Sequence, residues 1–153
     1  MIVPFYCNLT LEDRRTLWRI NKAAADDGSF VDETVNYFRD HPEWFRGRLH
    51  LTGDFYSVEY VEKWIRVMER LQSVDHVQYV WTTTRSWRAP EIEDALLRLV
   101  SMRKFVLTLS LDKESGKPSQ RWASCRWFYV SEGPNDRPDF KCFAVSSMKD
   151  CAR

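Results

Sequence analysis

Between Leu49 and Leu111 the chain alternates between short extended stretches and longer amphipathic ones, in the order strand, helix, strand, helix, strand. That order constrains the fold more than any other feature of the sequence. Strands joined through a helix pair in parallel, and strand twist gives the crossover a right hand. The expectation is an α/β fold with a parallel β-α-β-α-β core, either an open sheet or part of a (β/α) barrel.

The periodicities place each element. Arg48 to Thr52 alternates as a strand does, with Leu49 and Leu51 on one face and His50, Thr52 and, by extension, Asp54 on the other. Gly53 permits a sharp exit from that strand, and Ser57 is a good cap for the helix that follows. Val58, Val61, Ile65, Met68 and Leu71 make that helix's apolar stripe, which ends near Ser73. A second strand runs from about His76 to Thr83 and is rich in β-branched and aromatic residues. Pro90 suits the first position of the next helix, with Glu91, Glu93 and Asp94 at its positive end. The third strand, Phe105 to Leu111, is almost continuously apolar, as befits a parallel strand covered on both sides.

The flanks read differently. Thr10 to about Asp26 has a helix start and helix-forming residues, and Ser29 can cap a second helix carrying Val31, Val35 and Phe38 before Pro42 stops it. Beyond the core, Arg121 to Val130 and Phe140 to Val145 alternate like strands around a turn-rich stretch from Glu132 to Pro138, which implies a C-terminal antiparallel hairpin. The 153 residues, 44% of them hydrophobic, suffice for one domain with a proper core. Its parts would be two N-terminal helices (1–46), the βαβαβ core (47–113) and the hairpin (120–147).

Twenty-three basic residues nearly cancel 22 acidic ones, so no global charge holds the protein on nucleic acid or an anionic membrane. No apolar run approaches the roughly 20 residues that span a bilayer, and the first residues lack the basic flank and apolar length of a signal peptide. A cytoplasmic protein is expected. Zinc or an iron–sulfur cluster would have to use Cys125, Cys142 and Cys151, whose gaps do not resemble C-x-x-C spacing; with Cys7, they are read as reduced thiols and no metal site is assigned.

The central strands become polar as they end. The first offers His50, Thr52 and Asp54, the second Thr82, Thr84 and Arg85, and the third Ser110 and Asp112, with Thr108 on the same face. Parallel sheets place their sites at the carboxyl ends of strands, where the loops converge. An imidazole and carboxylates there could transfer protons, which makes His50 and Asp54 the candidate catalytic pair. Thr52, Thr82, Thr84, Arg85, Ser110 and Asp112 would bind a ligand, with Arg85 as the anion contact. The bland readings weigh equally: Asp54 after a glycine is a common turn residue that bonds backbone amides, and a buried neutral histidine is more often structural than catalytic. The sequence does not decide whether catalysis occurs.

A second cluster interleaves guanidinium groups and large rings: Arg85, Trp87, Arg88, Arg121, Trp122, Arg126 and Trp127. Trp87, Arg88, Trp122, Arg126 and Trp127 could form a surface for a protein partner or for single-stranded nucleic acid. The alternative is that the rings fill the core and the arginine stems cover its edge.

His50-Leu51-Thr52-Gly53-Asp54-Phe55-Tyr56-Ser57, followed by Tyr60-Val61-Glu62-Lys63-Trp64 and by Tyr79 to Trp87, resembles the phage "gene product eighty-eight" family. Its members carry strand, His-x-Ser-Gly-Asp-Phe, helix, aromatic strand and Thr-Arg or Thr-Lys in this order, with Ser where this chain has Thr52. The likeness covers about Trp18 to Asp112. It implies a phage or prophage origin, hence the cytoplasm of a bacterial host, and a βα-barrel-like core with a relation to radical-type iron–sulfur enzymes. It supplies no assigned activity. The first expectation is therefore a small protein binding a polar or anionic, nucleotide-like ligand at its strand ends. The alternatives are inhibition of a host or anti-phage defence protein through the Trp/Arg surface, and binding of single-stranded nucleic acid.

Overall fold

A computed structural model describes residues 11–43, 45–50 and 53–129. Two helices, α1 (Leu11–Asp26) and α2 (Phe30–Asp40), precede strand β1 (Arg46–Arg48), helix α3 (Val58–Leu71), β2 (Tyr79–Thr84), α4 (Pro90–Val100), β3 (Phe105–Leu111) and β4 (Arg126–Tyr129). The sheet order is β1-β2-β3-β4 and every pairing is parallel. The α/β class and the two leading helices agree with the sequence reading.

Sequential order has a geometric consequence. Each new strand joins on the same side of its predecessor, so crossovers of one hand put their helices on one face of the sheet. Accordingly α3 packs against α2 on one side and α4 on the other. On the face they cover, Val80, Thr82 and Thr84 lie in register with Phe105, Leu107 and Leu109, and all six are buried. Val61, Ile65, Met68 and Leu71 from α3, with Ile92, Leu96 and Leu99 from α4, complete that core.

Local chemistry explains the boundaries. Ser57 Oγ accepts from Tyr60 N at 3.1 Å and caps α3 as expected. The Lys104 ammonium binds the carbonyls of Leu71, Gln72 and Val74 (3.1, 3.2 and 2.9 Å), satisfying acceptors that the end of α3 leaves open. Ser29 does not cap α2 in the expected way, because it has helical dihedrals itself; its N–H and hydroxyl both donate to Asp27 Oδ1 (2.8 and 2.7 Å). Those bonds hold the Asp27 carboxyl below its usual range.

Two strand readings shift. The first strand starts earlier than expected and runs over Arg46–Arg48, its bonding to β2 reaching Leu49 N before His50 adopts φ 49° and ends the extended backbone; Leu51 and Thr52 lie outside the described residues. A Cβ on Gly47 would lie 2.6 Å from Phe38 Cζ, so only glycine lets α2 approach β1 this closely. The segment read as the hairpin's first arm supplies β4, which starts at Arg126 and runs parallel to β3; the second arm, Phe140 to Val145, lies outside the described residues. The crossover between β3 and β4 contains a 3-10 turn, Gln120–Trp122, and no α-helix. Trp122 is buried there, and its indole donates to Glu93 Oε1 of α4 at 3.1 Å. Among the described residues no helix is long and apolar enough to cross a membrane.

Candidate ligand site at the strand ends

The segments that follow β1 and β2 meet at Asp54. Its Oδ1 accepts from the Thr84 hydroxyl and from Phe55 N (2.8 Å), and its Oδ2 accepts from Arg85 N (2.6 Å) and Ser86 N (3.2 Å). The hydroxyl of Ser86 donates to Phe55 O at 2.7 Å. One carboxylate thus laces the loop after β1 to the loop after β2. The lacing bends the chain at Gly53, whose φ of +95° suits glycine. Asp54 does bond backbone amides, but two of the three belong to the neighbouring loop.

His50 lies beneath this lacing. Its Nε2 is 3.0 Å from the Tyr60 hydroxyl and its Nδ1 is 3.4 Å from Thr82 Oγ1. Thr82 Oγ1 donates to Leu49 O at 3.1 Å, which leaves its lone pair for Nδ1–H and makes Nε2 the acceptor from Tyr60. The ring stands edge-on to Phe55, with centroids 4.6 Å apart. Burial lowers the His50 pKa from 6.5 to about 4, against a smaller opposing effect of the Asp54 charge, so the ring is neutral at pH 7. The His50 side chain departs from the expected strand alternation: its positive φ turns it toward Tyr60 of α3 and Thr82 of the covered face.

Several expected ligand contacts are enclosed. Thr82, Thr84 and Ser110 are buried, the first two with their hydroxyls engaged as above. Thr52 lies outside the described residues. Asp112 closes a turn by accepting from Ser115 N (2.8 Å) and Glu114 N (3.1 Å). Partial burial acts to raise the Asp112 pKa, but the bonds from Ser115 and Glu114 and the Arg88 charge outweigh it and hold the carboxyl below its usual range. Arg85 and Arg88 approach Asp112 from solvent, at 3.8 and 3.7 Å.

The expected partner surface loses two rings. Trp87 is buried with its indole donating to Ser110 O at 3.1 Å, and Trp122 fills the last crossover; both are core residues. Arg88, Arg126 and Trp127 are exposed. Of the cysteines, only Cys125 lies among the described residues; it is buried, and burial pushes its thiol pKa up, away from the thiolate a metal requires. No group of three metal-ligating side chains occurs among the described residues.

Sequence reasoning missed Tyr60 and Ser86, which face His50 and Asp54 across the loops. Tyr60 stood in the stretch that carries the family resemblance and in the first turn of the helix beside Gly53, but neither marked it as a partner of His50. Sequence reasoning also missed Arg46 and Arg48, whose i, i+2 spacing puts two guanidinium groups on one strand face.

A family model described as "Gene product 88" matches residues 12–151. No curated protein and no solved structure matches the chain.

Proposed function

The chain belongs to the Gene product 88 family, and we propose that it binds an anionic, nucleotide-like small ligand at the carboxyl ends of its parallel strands. Arg85 and Arg88 contact the anion. The observation that carries this reading is their spare donor capacity: both are exposed and approach one carboxylate at 3.8 and 3.7 Å, beyond the ~2.7–2.9 Å of a charge-assisted hydrogen bond. They also sit on a loop whose backbone Asp54 pins, which reduces the ordering needed on binding. In this reading His50 and Asp54 position the loop.

The test is thermal unfolding with inorganic phosphate, pyrophosphate and a panel of nucleotides. A ligand present at about 100 times its Kd stabilises the fold by about 2.7 kcal/mol, a shift of several degrees. Arg85→Ala with Arg88→Ala should abolish the shift while leaving the unliganded midpoint unchanged, because both side chains are exposed. No shift with any member of the panel, or an undiminished shift in the double variant, overturns the proposal.

A further inference from the structure

The face of the sheet opposite the helices carries its own chemistry. The register aligns Arg46 with Tyr79, Arg48 with Trp81, Trp81 with Val106, Thr83 with Thr108, Thr108 with Arg126, and Ser110 with Phe128. These residues share one face, since neighbours in a parallel ladder point the same way. Val106, in the middle of the inner strand β3, is 39% exposed, so among the described residues this face is open to solvent at its middle, while Ser110 at its far end is buried. Tyr79, Trp81 and Phe128 are half-buried, as rings lying on a surface are, and Arg46, Arg48 and Arg126 are exposed. Three of these register-paired residues are arginines, three are aromatic and none is acidic.

The rings and guanidinium groups are already arranged as plates. The Arg48 guanidinium carbon lies 4.8 Å from the Trp81 ring centroid, and that of Arg46 lies 5.3 Å from Tyr79 and 5.1 Å from Phe45. A positive face with flat apolar plates complements a ligand that alternates negative charge with flat rings. Side chains two apart on a strand stand about 6.6 Å from each other, roughly twice the 3.4 Å rise between stacked bases. A polynucleotide along β2 would therefore unstack its bases to set one on Tyr79 and the next on Trp81, which an unpaired strand can do and a duplex cannot.

We propose that this open face binds single-stranded nucleic acid without sequence selection, its bases stacking on Trp81, Tyr79 and Phe128 and its phosphates meeting Arg46, Arg48 and Arg126. The protein's near-zero net charge does not oppose this, because the charge is local to the face. The site uses neither Arg85 nor Arg88, so it stands or falls apart from the strand-end site.

The experiment is fluorescence anisotropy of 5′-labelled dT12 and rU12 titrated with the full chain at two salt concentrations. Three phosphate contacts give a slope of about −2 in log affinity against log salt, so raising salt from about 50 to 200 mM should weaken binding roughly twentyfold. Trp81→Ala should weaken it about tenfold, Trp81→Phe should restore most of that loss, and Arg48→Ala should reduce the salt slope by about 0.7. Unlabelled duplex should compete poorly. Arg126→Glu lies on an exposed position and provides a second readout if Trp81→Ala fails to fold. Four results overturn the proposal: no binding of either oligonucleotide, salt-independent binding, binding unchanged in both Trp81→Ala and Arg126→Glu, or displacement by dTMP at equal nucleotide concentration, which would mark a mononucleotide site instead.

Discussion

Asp54 and His50 are adjacent groups with different parts in the structure. Asp54 accepts four hydrogen bonds and ties two loops together, whereas His50 has partners suited to a neutral ring. Asp54→Asn replaces one acceptor oxygen with a donor that faces other donors. Chemical denaturation should show a loss of about 2–3 kcal/mol; unchanged stability would contradict the anchoring role. For His50 the folded pKa, about 4, lies below the unfolded 6.5, so the unfolded chain binds more protons between those values. Stability is therefore full above about pH 6.5 and falls as pH drops toward 4, by on the order of 3 kcal/mol. The lowered carboxyls of Asp26 and Asp27 act only further down, as pH falls below 3.8. Urea midpoints at pH 7.5 and 4.5 should differ in the native chain and converge in His50→Asn, a residue that tolerates the positive φ.

At the level of elements, the central strands and their helices were legible because each repeats a period over enough residues. Phe105–Leu111 reads the same in sequence and structure. The first strand was misplaced because an alternating stretch looks identical whether it continues straight or turns at its middle residue, and nothing in the residues announces the positive φ of His50. The site suffered a different limit. Asp54 could be recognised as a turn residue, but its partners Thr84, Arg85 and Ser86 belong to the next strand and loop, and only the folded pairing brings them near. The same holds for Gly47, whose purpose depends on a ring from α2. Gly47→Ala should cost about 1–3 kcal/mol through overpacking, and Phe38→Leu should recover part of it in the double variant. Strictly additive losses in a denaturation cycle would deny the contact.

Over the whole molecule, stability is concentrated on one side. Among the described residues β2 and β3 are the inner strands and carry the buried side chains of the sheet, while β1 and β4 are edges. Among the described side chains of α1 only Ala25 is buried. Hydrogen exchange should therefore rank the amides, slowest in β2 and β3, faster in the edge strands and fastest in α1, where opening needs no loss of the main core. Equal protection across all of these elements would contradict the ranking. The burial of Trp87 and Trp122 also belongs to this scale, since no local pattern distinguishes a ring that plugs a helix-less crossover from one left in solvent.

The order in which the strands join the sheet also bears on how the chain is assembled. Arg46 pairs with Tyr79, Val80 with Phe105 and Thr108 with Arg126, so each closure spans fewer residues than the one before. None of the described strands must be inserted between two already placed. A ribosome delivers the chain at roughly 5–20 residues per second, far slower than loops of this size close. Each strand therefore has time to dock on its predecessor before the next emerges, so that, apart from the outer edge of β1, only the newest edge of the described sheet is open to wrong partners during synthesis.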